Sequence, residues 1–101
     1  MTNKSIAIIG ANSFIATNLI NKLIKYSYQL QLYGRREIHP NETANYKFFD
    51  YPNNPIEFEE LLSFDVVIYT VGAGTQQTIP TSNELIYQLN AFLPINLIQY
   101  L

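Results

Sequence analysis

The sequence predicts an α/β protein in which helices cover both faces of a parallel sheet. Short apolar runs, bounded by glycine or by turns rich in Pro and Asn, alternate along the chain with segments of helical spacing. The first run is apolar from Ile6 to Ile9 without interruption, which is typical of a strand buried on both faces. With 101 residues the chain is long enough for one small domain with a single core.

The first strand and the first helix are predicted at the N-terminus. Residues 5–9 are apolar and β-branched, and Gly10 ends the run. From Phe14 to Lys25 the spacing becomes helical, with lysines towards the end where the helix dipole favours cations. The predicted buried stripe consists of Ile15, Leu19, Ile20, Leu23 and Ile24.

Two further strands are predicted before the middle of the chain. The second covers residues 30–33 and ends at Gly34, after which the polar segment 35–45 is predicted as a loop. The third covers residues 46–49 and is closed by Asp50 and the Pro/Asn-rich turn 51–55.

The second half begins with a helix over about residues 56–62, which Pro55 is expected to start. Residues 65–71 form the most apolar predicted strand and run into the glycines of segment 72–74. A polar loop precedes the last helix, which starts at Glu84 and is capped by Ser82 or Asn83. Pro94 is expected to kink or break that helix. The predicted order is β-α-β-β-α-β-α, with right-handed crossovers.

Composition excludes several classes of function. The net charge is −2 and the pI about 5.2, which argues against a nucleic-acid partner. There is no cysteine and only one histidine, His39, so we expect neither disulfides nor a metal site. The apolar stretch 6–9 is too short for a signal peptide or a membrane span, and we expect a cytoplasmic protein that does not bind membranes.

The turn between the first strand and the first helix has the character of a Rossmann-type dinucleotide-binding element. Its spacing is Gly10-x-x-Ser13-x-x-Ala16, and a glycine turn at a helix N-terminus lets the backbone approach a pyrophosphate. It resembles the Gly-Ala-x-Gly-Phe-Ile-Gly segment of the NAD(P)-dependent epimerase/dehydratase family, the extended short-chain dehydrogenases/reductases. The resemblance implies that Gly10, Asn12, Ser13, Phe14 and Ile15 contact the cofactor.

Ser13 and Ala16 stand where that family has glycine. Ala16 is a mild change, because that position serves close packing of helix on strand. The Cβ of Ser13 would crowd the phosphates, or its hydroxyl would donate to one of them. A plain strand–helix turn that binds nothing is the alternative interpretation.

Two arginines follow the second predicted strand, and they favour NADP over NAD. An acidic residue at this place would bond the ribose of NAD, whereas Arg35 and Arg36 can pair with the 2′-phosphate of NADP. A solvated basic pair on a loop is the alternative.

Later segments are similar to the same family in the same order. Asp50 and Tyr51 match the residues that lie beside adenine, although an Asp followed by Pro and Asn also forms turns readily. Residues 65–73 are similar to the family's Asp-Val-Val-Ile-His-Leu-Ala-Ala, which places Val71, Gly72 and Ala73 against the ribose and nicotinamide. The glycines there are otherwise a flexible strand exit.

The last helix resembles the family's Val-Asn-x-x-Gly-Thr-x-Asn-Leu segment, in which Asn90 matches the structural asparagine and Pro94 is a departure. The family's catalytic Tyr-x-x-x-Lys pair does not occur in this sequence. The resemblance therefore implies one domain, residues 1–101, that is the cofactor-binding half of a sugar epimerase, dehydratase or reductase. We expect a fragment of a longer protein, inactive by itself and without catalytic residues.

The strand order that the resemblance implies is 3-2-1-4, which is the first part of the full order 3-2-1-4-5-6. Strand 65–71 would then be an exposed edge, and pairing of two such edges predicts a homo-oligomer. Two other functions stay open: a non-catalytic NADP-binding sensor or scaffold of this fold, and an interaction module that binds no nucleotide.

Overall fold

The structure, a computed structural model, describes residues 4–26, 28–35, 44–50, 53–71 and 82–101. The chain divides into two compact units, Met1–Thr70 and Val71–Leu101, and each is described by itself. The described part of the first unit contains β1 (Ser5–Ile9), α1 (Phe14–Leu23), β2 (Gln29–Gly34), β3 (Ala44–Phe48), α2 (Phe58–Leu61) and β4 (Val66–Tyr69). That of the second contains α3 (Asn83–Tyr87), a π-helical segment (Gln88–Phe92) and α4 (Leu93–Tyr100).

The four strands form one sheet in the order β3-β2-β1-β4, and every pair is parallel. Ile6 of β1 is aligned with Leu30 of β2 on one side and with Val66 of β4 on the other. The chain therefore starts in the middle of the sheet, extends outwards through β2 and β3, and returns to the far side of β1. The predicted fold class and strand order are confirmed.

Helices cover both faces of the sheet, as predicted. Alternate strand residues point to opposite faces, and Ile8 and Leu32 belong to the face on which Ala16 and Ile20 of α1 pack. Lys47 of β3 belongs to the other face, and its Nζ lies 2.9 Å from Oε2 of Glu60 in α2. The two helices therefore lie on opposite faces.

The buried face of α1 differs from the predicted stripe. Ala16 and Ile20 are its buried residues, whereas Ile15 is 68% exposed. Ala16 is completely buried, and its short side chain allows the helix to approach the strands closely. Because alanine is only weakly hydrophobic, the sequence pattern pointed to Ile15 as the buried residue instead of its neighbour Ala16.

Several boundaries also differ from the predictions. β3 begins at Ala44, within the segment predicted as loop, because Ala44 is buried in the core beside β2. The helix α2 has four residues and begins at Phe58, so Pro55 precedes it and Glu57 is its N-cap. β4 covers only Val66–Tyr69 of the predicted 65–71.

A reciprocal set of hydrogen bonds aligns the starts of β1 and β4. The backbone N–H of Ser5 donates to Oδ2 of Asp65 over 2.8 Å, and the backbone N–H of Asp65 donates to the Ser5 carbonyl over 3.0 Å. The backbone hydrogen bond from Ser5 lowers the pKa of Asp65, since it stabilises the carboxylate. Along its other side, β4 pairs with no strand among the described residues, and self-association through that edge stays a prediction.

The second unit is helical over residues 83–100. Its N-cap is Ser82, one of the two predicted caps, whose Oγ accepts from the N–H of Leu85 over 3.1 Å. The helical backbone continues past Pro94 instead of breaking. Its hydrogen bonding widens in the preceding turn, where the N–H of Leu93 donates to the carbonyl of Gln88. A π turn gives room for a proline ring that would clash in a regular α-helix. None of the helices in the described ranges is long and apolar enough to cross a membrane.

Candidate nucleotide-binding site

Gly10 forms the turn at the carboxyl end of β1. Its φ is 89°, a conformation that costs an L-residue with a side chain about 1–2 kcal/mol. The N–H groups of Gly10 and Ala11 both donate to the carbonyl of Tyr33 over 2.8 Å. The end of β2 therefore fixes the turn, and the glycine is the residue that permits it.

The turn lies at the point where the strand order reverses. After β1 the chain goes to β2 and β3 on one side, and β4 lies on the other side of β1. In open parallel sheets the crevice beyond the carboxyl ends of two such strands is where ligands bind. The carboxyl ends of β1 and β4, with the N-terminus of α1, define this crevice.

Ser13 is the N-cap of α1, and its hydroxyl both accepts and donates a hydrogen bond. Its Oγ accepts from the N–H of Ala16 over 3.1 Å and donates to Oγ1 of Thr70 over 3.2 Å. The backbone of Ser13, with φ −70°, needs no glycine. The side chain thus takes up one of the amides at the helix N-terminus that an anion would otherwise bind.

Two amides at that terminus remain available. The N–H groups of Phe14 and Ile15 precede the hydrogen-bond ladder of α1, and neither has an acceptor among the described residues. Their side chains are 84% and 68% exposed, so these positions are open to solvent. The structure brings Gly10, Ser13, Phe14 and Ile15 together at the reversal point.

Asn12 contacts the end of β2. A Cβ built on Gly34 would lie only 2.4 Å from Oδ1 of Asn12, so the Asn12 side chain would have to move if position 34 carried a side chain. The hydroxyl of Tyr46 donates to the carbonyl of Gly34. Arg35 follows directly and is exposed. Arg36 lies outside the described residues.

Tyr33, whose carbonyl accepts from the turn, interacts through its side chain with the Lys47–Glu60 ion pair on the α2 face of the sheet. Tyr33 is almost completely buried. Burial, reinforced by the charge and hydrogen bonding of Glu60, raises the pKa of Tyr33 to about 12. Lys47 Nζ binds both carboxylate oxygens of Glu60, at 3.0 and 2.9 Å. The phenol therefore stays neutral and the carboxylate stays paired.

The structure describes three of the other predicted cofactor residues, Asp50, Val71 and Asn90. Asp50 is half-buried and closes a turn with Asn54, to whose carbonyl its N–H donates over 3.1 Å. Val71 is half-buried and Asn90 is exposed in the π-helical segment, and both belong to the second unit. The predictions for Tyr51, Gly72 and Ala73 lie outside the described residues.

Thr70 is a site residue that the sequence did not reveal. It is the last residue of the first unit, directly after β4, and its hydroxyl lies 2.9 Å from the Ile9 carbonyl and 3.0 Å from the Gly10 carbonyl. The one sequence feature that could have indicated it is a hydroxyl residue directly after the strand that pairs with β1.

The fold and the turn define the class of this chain: a Rossmann-like α/β protein with a glycine turn at the reversal point. No family model matches the sequence, and no curated protein matches it. No group of three or more His, Asp or Glu side chains within the described ranges could hold a metal ion.

Proposed function

We propose that this chain is the cofactor-binding part of an NAD(P)-dependent protein of the sugar epimerase, dehydratase or reductase type, and that it prefers NADP(H). The observation that carries the proposal is Gly10 at φ 89° in the turn between β1 and α1, where the strand order reverses. In this architecture that turn binds the pyrophosphate of a dinucleotide. The two open amides of Phe14 and Ile15 are suitable donors to it.

The preference for NADP(H) rests on the arginines that follow β2. Arg35 is exposed one residue beyond Gly34, and Gly34 contacts Asn12 of the turn. A guanidinium there is suited to a bidentate pair with the 2′-phosphate, which NAD lacks. Because the sequence has no Tyr-x-x-x-Lys pair, we expect binding without hydride transfer from this chain by itself.

The test is a titration of NADPH and NADH, followed by the fluorescence of the reduced nicotinamide. We expect NADPH to bind more tightly, and Arg35→Ala to weaken NADPH at least about tenfold while leaving NADH unchanged, since the charge-assisted bidentate pair is lost. Lys25→Ala is the matched control, because it removes the same charge beyond the opposite end of α1. If Arg35→Ala weakens both cofactors equally, the preference for NADP is wrong.

A second candidate function is an interaction module that binds no nucleotide. The observation that favours it is the Ser13 hydroxyl, which already caps the N–H of Ala16. A chain that binds neither NADPH nor NADH at millimolar concentration would favour this function and refute the first.

A further inference from the structure

Thr70 connects the end of β4 to the backbone of the turn. Its N–H donates to the Ile9 carbonyl over 2.8 Å, and its hydroxyl lies within hydrogen-bond distance of the carbonyls of Ile9 and Gly10. The same hydroxyl accepts from Ser13 over 3.2 Å. Three residues of the turn region are therefore bonded to one side chain from the neighbouring strand.

The hydrogen bonds of this hydroxyl are consistent with a single arrangement. The carbonyls of Ile9 and Gly10 can only accept, so Thr70 directs its one proton at them. The proton of the bond between Ser13 and Thr70 must then come from Ser13. Linked bonds of this kind polarise and strengthen one another.

The turn is thus held from both sides. The carbonyl of Tyr33 in β2 binds the N–H groups of Gly10 and Ala11, and Thr70 binds the carbonyl side of the same segment. Gly10 has the unusual φ, and without these restraints a glycine samples many conformations. A ligand that needs the turn in one conformation would have to order it on binding, at a cost in affinity.

We propose that Thr70 is a positioning residue for dinucleotide binding: it holds the Gly10 turn in its binding conformation from the β4 side. This inference rests on the proposed function, and it adds a residue that the family resemblance does not indicate. Thr70 acts through the backbone of Ile9 and Gly10, without contact to the ligand.

The experiment compares Thr70→Val, Thr70→Ser and the unaltered chain in NADPH titrations. Valine keeps the shape and removes the hydroxyl, so we expect affinity to fall about tenfold, since hydrogen bonds of ordinary strength are lost on both sides of this group. Serine keeps the hydroxyl, and we expect it to restore affinity to within about twofold of the unaltered chain. The control is Thr17→Val, which removes a hydroxyl bonded to the Ser13 carbonyl over 2.8 Å, on the exposed side of α1.

Amide hydrogen exchange in the unliganded chain supplies a second readout. We expect the amides of Gly10 and Ala11 to exchange faster in Thr70→Val than in Thr17→Val, at equal global stability. If the unaltered chain binds NADPH and Thr70→Val binds it equally well, or if Thr17→Val weakens it as much, the inference is overturned and the proposed function stands. If the unaltered chain binds no NADPH, the proposed function is refuted and the inference is overturned with it. Unchanged exchange at Gly10 and Ala11 in a chain that binds NADPH would overturn the inference alone.

Discussion

Replacing Ser13 with alanine should lower the stability of the fold and raise the affinity of the site. Loss of a serine N-cap costs about 1 kcal/mol. Loss of the bond to Thr70, 3.2 Å long and half-buried, adds about 0.5–1.5 kcal/mol. We therefore expect the free energy of unfolding to fall by about 1.5–2.5 kcal/mol, and each kcal/mol lowers the Tm of a domain this size by about 4–8 °C.

The affinity should change in the opposite direction. Without the hydroxyl, the N–H of Ala16 joins those of Phe14 and Ile15 as a free donor at the N-terminus of α1. One additional charge-assisted hydrogen bond to a phosphate should tighten NADPH binding about tenfold. Ser13→Gly should tighten it at least as much, since it also removes the Cβ, while it costs the cap only a few tenths of a kcal/mol.

Two measurements check this prediction: urea unfolding followed by circular dichroism, since the chain has no tryptophan, and NADPH titration. The matched control is Ser82→Ala, which removes an N-cap in the second unit whose hydrogen bond has the same length, 3.1 Å. It should lower the stability of α3 and leave NADPH affinity unchanged. A Ser13→Ala chain that binds NADPH more weakly would show that the hydroxyl serves the ligand, and would refute the reasoning.

Three further predictions concern the framework around the site. Gly34→Ala should destabilise the chain by about 1 kcal/mol in urea unfolding, because the added Cβ displaces the Asn12 side chain, and Asn12→Ala in the same chain should recover most of that loss. An unchanged loss in the double variant would contradict this. The hydrogen bond from the Ser5 backbone lowers the pKa of Asp65, so the stability that the carboxylate contributes is present above about pH 4 and is lost as the pH falls through its folded-state pKa. In thermal unfolding, the Tm of Asp65→Asn should fall less at acid pH than that of the unaltered chain. An equal fall in Tm would show that the Ser5–Asp65 hydrogen bond does not cause the acid dependence. Glu60→Gln should cost less than about 1 kcal/mol in the same unfolding assay, since its ion pair is partly exposed.

The strands were predictable because short apolar runs end at glycines or turn residues, whereas their order in the sheet was implied by the family resemblance. The run 5–9 is followed by Gly10 and the run 30–33 by Gly34. The ends of β1 and β2 were therefore predicted to within a residue. The start of β3 was not, because Ala44 and Asn45 have low strand propensity. Pairing with β2 and burial of Ala44 decide that boundary, and both are tertiary effects.

The candidate site was predictable only where the backbone itself is unusual. Glycine at position 10 is a sequence signal for a turn, and the structure has φ 89° there. The Thr70 contacts join residues about 60 positions apart, and no local pattern encodes them. The acceptor of the Ser13 hydroxyl could not be predicted either, since it is Thr70, which is distant in sequence.

Positions 10, 13 and 16 of the turn place different demands on the residue that occupies them. Position 10 has φ 89°, which the fold itself requires, whereas Ser13 has φ −70°, which any residue adopts. Ala16 is completely buried, so a methyl group still fits between α1 and the sheet. The fold therefore constrains only the first of the three positions, and a glycine at position 13 would serve a bound phosphate rather than the backbone. Ser13→Gly is thus a direct test of affinity that leaves the architecture in place.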